Sequence, residues 1–204
     1  MSSLEVKKTI ENEDQMEPSV KNKSFVLELS QFIILAILIV APIRMFVAQP
    51  FLVSGASMEN TFDNGDYLII DQLTYHFNDP KRGDVIIFRY PKDPSKFFIK
   101  RIIGIPGDTI NIEDNVVTLT TSTGASQILD EPYVKAMNNN NHYNVTLDEG
   151  NYFVMGDNRD RSSDSRVWGV LDRENIIGRT FLRLFPFDHI STFPGSAHIN
   201  LSDS

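Results

Sequence analysis

Phe97-Phe-Ile-Lys-Arg-Ile-Ile103, Gly104-Ile-Pro-Gly-Asp108, Thr109-Ile-Asn-Ile112: two runs of aromatic and β-branched residues flank a turn built on glycine and proline. That order reads as strand, turn, strand. The same pattern extends outward in both directions. Tyr67-Leu-Ile-Ile70, Asp84-Val-Ile-Ile-Phe88, Val116-Val-Thr-Leu119 and Asn151-Tyr-Phe-Val-Met155 are further short strands. Asp63-Asn-Gly-Asp66, Lys81-Arg-Gly-Asp84 and Glu149-Gly150 punctuate them. Short strands with Gly, Pro and Asp turns predict a mainly β domain over 49–204, an antiparallel sheet of barrel-like or sandwich character. The stretch Thr120–Asn144 is poor in apolar residues and holds the run Asn138-Asn-Asn-Asn141, so it reads as a variable loop or small insertion.

Upstream of the strands the chemistry changes. Leu29 to Ile43 carries no charge and is nearly all apolar, and the apolar character resumes after Arg44 as Met45-Phe-Val-Ala48. A helix needs about 20 such residues to cross a bilayer. The segment 25–48 reaches that length, with Arg44 near its end, where a long stem can snorkel to the headgroups. Cleavage as a secretory leader needs small residues at −1 and −3. A cut after Ala41 has Ile39 at −3, and one after Ala48 has Phe46 there, so the segment reads as an uncleaved single-pass anchor. Lys7, Lys8, Lys21 and Lys23 precede it, and after Arg44 no Lys or Arg occurs before Lys81. The positive-inside rule then puts the polar tail, residues 1–24, in the cytoplasm and 49–204 outside. The tail composition predicts disorder.

Composition removes several classes of function. The 204 residues carry 19 Lys and Arg against 27 Asp and Glu, a net charge of −8, which argues against a nucleic-acid surface. The chain lacks cysteine, so disulfides, a thiol nucleophile and thiolate metal sites are excluded. Its four histidines are scattered and no HExxH occurs, so neither a metal nor a cofactor is implied.

One stretch offers a nucleophile, although taken alone Ser54-Gly-Ala-Ser57 reads as a simple turn. Ser54-Gly-Ala-Ser57-Met58 sets a serine among small residues that let a substrate backbone approach, and Ser57 lies about nine residues past Ala48. A serine must lose its proton to attack. No histidine stands in a triad setting, no GxSxG is present, and no serine has lysine three residues on. Lysine can act as base where burial lowers its pKa. Lys100 qualifies, since Phe98, Lys100 and Ile102 fall on one strand face. By pattern alone, an edge-strand lysine whose head reaches water is the leading reading.

Three segments in order resemble the type I signal peptidase family, the serine–lysine group that includes bacterial leader peptidases. Ser54–Thr61 is similar to SGxSMxPT, Lys100-Arg-Ile-Ile-Gly-Ile-Pro-Gly-Asp108 to KRxxGxPGD, and Gly156-Asp-Asn-Arg-Asp-Arg-Ser162-Ser-Asp164-Ser-Arg166 to GDNRxxSxDSR. The resemblance runs from Phe25 to about Phe187. It implies Ser57 as nucleophile, Lys100 as general base and Ser162 as the hydroxyl that orients the lysine. It implies an oxyanion hole of backbone N–H groups at Ser57 and Gly55, chiefly that of Ser57. Arg101, Asp157, Asp164 and Arg166 become structural support. The implied activity is removal of signal peptides from exported preproteins after Ala-x-Ala type sites, beside the bilayer and near the secretion translocase. Asn60 stands where SMxPT has proline, which implies a looser backbone after the serine. Two alternatives are an inactive, membrane-anchored peptide-binding paralogue and a related self-cleaving or processing Ser–Lys peptidase.

Overall fold

The computed structural model describes residues 20–42, 48–134, 142–197 and 199. Helix α1 (Val20–Pro42) and the β elements are separate compact units. The helix starts inside the 1–24 tail, consistent with cheap propagation once a first turn is nucleated. Its side chains are described from Phe25 to Val40, and from Phe32 onward every one is apolar and exposed. Among the described residues no helix is long and apolar enough to cross a membrane. The expected anchor, 25–48, continues through 43–47, and the tail covers 1–19; both stretches lie outside the described residues.

The β unit holds two antiparallel sheets. The strands are β1 (Ala48–Leu52), β2 (Tyr67–Asp71), β3 (Val85–Tyr90), β4 (Asp93–Gly104), β5 (Thr109–Glu113), β6 (Val116–Thr120), β7 (Ser126–Ile128), β8 (Tyr143–Thr146), β9 (Asn151–Met155), β10 (Leu171–Asp172), β11 (Ile176–Phe185) and β12 (Ser191–Thr192). The larger sheet has the order β1-β2-β11-β3-β4-β9-β10, with β12 beside β11; the smaller is β7-β6-β5-β8. Two four-residue helices, α2 (Thr74–Phe77) and α3 (Ser165–Trp168), sit in connections.

Local chemistry accounts for the hairpins. Asp114 and Asn115 both have positive φ, 48° and 67°, between Glu113 and its partner Val116. Two left-handed residues form the turn whose twist suits a tight hairpin, and Asp and Asn tolerate that region. In β3 the alternation is two-sided: Val85 and Ile87 enter one core cluster with Met58, Phe62 and Ile99, while Ile86 and Phe88 enter another with Ile102 and Val154. A third cluster joins the sheets, with Ile110, Ile112, Val117 and Leu119 against Ile103, Phe153 and Met155.

The region 120–144 does more than an insertion would. It supplies β7 and the start of β8, the two edges of the small sheet, and buries Leu129 in the shared core; Asn138–Asn141 lie outside the described residues. The ten-residue strand β11, between β2 and β3, has no counterpart in the strand pattern read from the sequence.

Candidate active site

Lys100 sits in β4, and β3 pairs with it along most of its length. On the other side β9 pairs only from Arg101 to Gly104, so the main-chain edge from Asp93 to Ile99 has no strand beside it among the described residues. Ser57 lies in the turn after β1, closed by hydrogen bonds from Thr61 N and Phe62 N to Met58 O at 3.0 and 2.8 Å. Buried Met58 and Phe62 fasten this turn to the core. Lys100 Nζ donates to Ser57 Oγ at 2.8 Å and to its neighbour's carbonyl, Ile99 O, at 2.9 Å.

The lysine is 3% exposed. Burial pushes its pKa down from 10.5 to about 8; the carboxylates of Asp164 and Asp157 pull it back up, and Arg166 adds to the lowering. A strand residue facing inward at the sheet's rim thus gains what a base needs: a pKa near neutrality and a hydroxyl within hydrogen-bond reach.

The loop after β9 braces this pair. Gly156 donates its N–H to Asp164 Oδ2 at 3.0 Å, and Asn158 donates its N–H to Ser57 O at 3.0 Å. Only glycine fits at 156, because a Cβ there would stand 2.3 Å from Ser162 Oγ and 2.4 Å from Ser57 O. Arg101 donates to both oxygens of Asp157, at 2.9 and 2.6 Å, and also to Gly83 O and Gly195 O. Thr61, in the serine turn, donates its hydroxyl to Asp157. Arg166 pairs with Asp164, Nε to Oδ1 at 2.8 Å. Burial pushes the Asp164 carboxyl up, but the hydrogen bond and charge of Arg166, with the Ser162 hydroxyl and the Gly156 N–H, outweigh it and hold the group below 3.8.

Ser162 Oγ is buried beside the Asp164 carboxylate, which it helps to hold in the charged form, and the acceptors of Lys100 Nζ are Ser57 Oγ and Ile99 O, so no bond joins Ser162 to the lysine. Gly55, at φ +104°, gives its N–H to Asn64 Oδ1 at 3.0 Å rather than to the groove. The Ser57 N–H has no partner among the described residues.

The pair opens onto a groove of about 470 Å³ walled by Phe51, Val53, Ile87, Phe97 and Ile99, with Arg161 and Ser163 also in its lining. Phe51 meets Phe97 edge-on at 5.5 Å, which brings β1 opposite the open edge of β4. A larger hollow of about 740 Å³, bounded by Gln127, Asp130, Pro132 and Ala197, has no lysine or histidine among its described lining.

A family model described as "Signal peptidase, peptidase S26" matches residues 14–185. The chain belongs to that family. It is 35% identical over 179 residues to a probable signal peptidase I-1 of Synechocystis, covering 84% of this chain and 89% of that one. A signal peptidase I of Bacillus licheniformis is 33% identical over 180 residues, 85% of this chain and 96% of the relative. A solved signal peptidase I from Enterococcus faecalis shares 30% identity over 50% of this chain and 97% of its own, at TM-score 0.43.

Within this family member one departure has a structural reason. Asn60 adopts φ +91°, a conformation open to asparagine and closed to proline. The turn around it is closed by hydrogen bonds from Glu59 N to Ala56 O and from Thr61 N and Phe62 N to Met58 O. Asn60→Pro is therefore expected to lower stability by about 1–3 kcal/mol, read as a drop in the denaturation midpoint. Sequence reasoning passed over Thr61, Asn158, Glu131 and Tyr133. Thr61 and Asn158 stood inside quoted motifs; the other two fall in the stretch taken for an insertion.

Proposed function

We propose that the protein is a membrane-anchored serine endopeptidase that removes signal peptides from exported preproteins, cutting after small residues. One observation carries this reading: the buried Lys100 Nζ lies 2.8 Å from Ser57 Oγ, with no competing acid on the lysine beyond the carboxylates that tune it. The substrate lies extended along the open edge of β4, adding a strand by main-chain hydrogen bonds. Its small side chains enter the apolar groove beside Phe51, Val53 and Ile99.

In the neutral amine, one N–H stays on Ile99 O and the lone pair turns to Ser57 Oγ–H. Lys100 takes that proton, Oγ forms a bond to the scissile carbonyl carbon, and the carbonyl π pair moves to oxygen. The free N–H of Ser57 stabilises the oxyanion. As the C–N bond breaks, Lys100 returns the proton to the leaving amine. Water, deprotonated by the same lysine, then releases the acyl group. Arg101, Asp157, Asp164 and Arg166 support the loop and take no proton. Helix α1, apolar on every side from Phe32 to Val40, suits a lipid surrounding, and Lys7, Lys8, Lys21 and Lys23, ahead of that apolar stretch, orient the amino terminus to the cytoplasm.

The test is cleavage of a membrane-bound precursor with an Ala-x-Ala site by the detergent-solubilised full chain. Cutting after the second alanine that is lost in Ser57→Ala supports the assignment; cutting that survives this substitution would remove Ser57 from the chemistry. The pH profile is a separate check. Because the reactive form is the deprotonated one, kcat/KM is expected to rise about tenfold per pH unit in acid and to reach half its plateau near pH 8. A profile flat between pH 6 and 9 would exclude Lys100 as base.

A further inference from the structure

After Leu129 joins the core, the chain runs through Glu131-Pro132-Tyr133 toward two buried arginines. The Glu131 carboxylate accepts from both terminal nitrogens of Arg159, Nη1 to Oε2 at 2.9 Å and Nη2 to Oε1 at 2.5 Å. Arg159 Nε donates onward to Gly156 O at 3.1 Å. Tyr133 donates its hydroxyl to Glu131 Oε1 at 3.1 Å and lays its ring 3.9 Å from the Arg101 guanidinium. The two arginines grip the same loop at adjacent points: Arg101 at the Asp157 side chain, Arg159 at the Gly156 carbonyl. From there one bond, Asn158 N to Ser57 O, reaches the residue of the nucleophile.

The arrangement is built for direction rather than for surface charge. Side-chain exposure is 1% for Arg159 and 10% for Glu131, so solvent screens the pair little. A two-pronged guanidinium–carboxylate contact fixes orientation as well as distance. The carboxylate thus aims the Arg159 head at Gly156 O, one hold on the turn beside Asp164 on the Gly156 N–H and Arg101 and Thr61 on Asp157.

We infer that Glu131, seconded by Tyr133, is a positioning residue that clamps Arg159 and through it the Gly156–Asn158 turn holding the Ser57 carbonyl. The inference rests on the proposed role of Ser57. It gives the stretch outside the three motifs a part in the reaction. A shift of the serine of the order of 1 Å can lower turnover about a hundredfold.

The experiment measures kcat and KM of the full chain in detergent on an Ala-x-Ala precursor, at a temperature where every variant is folded. Glu131→Gln and Glu131→Ala are expected to lower kcat about ten- to a hundredfold with KM nearly unchanged. In an Arg159→Lys background Glu131→Ala should add little, since both act through one contact. In substrate-free protein, amide exchange at Asn158 should speed up in Glu131→Ala. Should Glu131→Ala fail to fold, Tyr133→Phe removes only the hydroxyl and is expected to lower kcat about threefold. Unchanged kcat in the folded variants, a full Glu131 effect in the Arg159→Lys background, or unchanged Asn158 exchange would each overturn the clamp. Wild-type protein that cuts nothing would overturn the proposed function and the clamp together, whereas wild-type cutting unaltered by Glu131→Ala overturns the clamp alone.

Discussion

Lys100→Met is expected to reduce precursor cleavage by about a thousandfold or more while making the protein more stable. The two effects have one origin. Lys100 is 3% exposed, and its pKa falls from 10.5 to about 8 because burial opposes the ammonium form. The unfolded chain therefore binds more protons than the folded one between about pH 8 and 10.5, and native stability rises with pH across that window. Below pH 8 the lysine is charged in both states and the folded protein carries the whole desolvation penalty, about 3 kcal/mol for a shift of this size. Methionine has a similar length and no charge, so the gain should approach that figure at pH 7, less the hydrogen bonds to Ser57 and Ile99 that are given up. The gain should fade by pH 10.5. Denaturant titrations of wild type and variant at pH 7 and pH 10 measure it, and a variant destabilised equally at both would mean that the lysine is not strained by burial.

The opposite sign is expected for Arg101→Met. Arg101 is 1% exposed and Asp157 0%, and the guanidinium satisfies both carboxylate oxygens together with the carbonyls of Gly83 and Gly195. Removing one member of a buried pair leaves an uncompensated charge, which costs about 3–5 kcal/mol. For a chain of this size that lowers the melting temperature by roughly 10 °C. Cleavage should fall as well, since Asp157 also holds Thr61 of the serine turn. A double variant, Arg101→Met with Asp157→Leu, should regain much of the stability, because an apolar pair of similar volume can replace a buried ion pair. Its activity should stay low. Recovery of both would assign the pair to folding alone.

The strands with dense β-branched or aromatic runs, β3, β4, β6 and β9, are legible because their composition alone fits a pleated, buried surface. Strand β11 is not legible on those grounds. Ile176-Ile-Gly-Arg-Thr-Phe-Leu-Arg-Leu-Phe185 is broken by Gly178, Arg179 and Arg183, and only the structure supplies their partners, Asp71 for Arg179 at 3.2 Å and Asp66 for Arg183 at 3.3 Å. Charged positions become tolerable mid-sheet through residues over a hundred positions away, and no local pattern announces that. Ser57, Lys100 and the Gly156–Arg166 loop could be singled out by residue type and motif, although their mutual distances could not. Ser162 marks the limit: motif position suggested a contact with lysine, whereas its hydroxyl packs against Gly156. Glu131 escaped notice because polar, loop-like composition says nothing about a partner buried elsewhere.

The half-covered β4 strand has a consequence for how broad the protein's clientele can be. An empty strand edge offers N–H and C=O groups that every polypeptide can match, so the largest share of any docking energy there is common to all guests. Such a surface cannot tell one backbone from another. If the proposed function holds, discrimination is left to the few guest side chains that meet the apolar groove lined by Phe51, Val53 and Ile99. Precursors without any shared sequence can then compete for one slot, and each remains free to diverge everywhere except at those few positions.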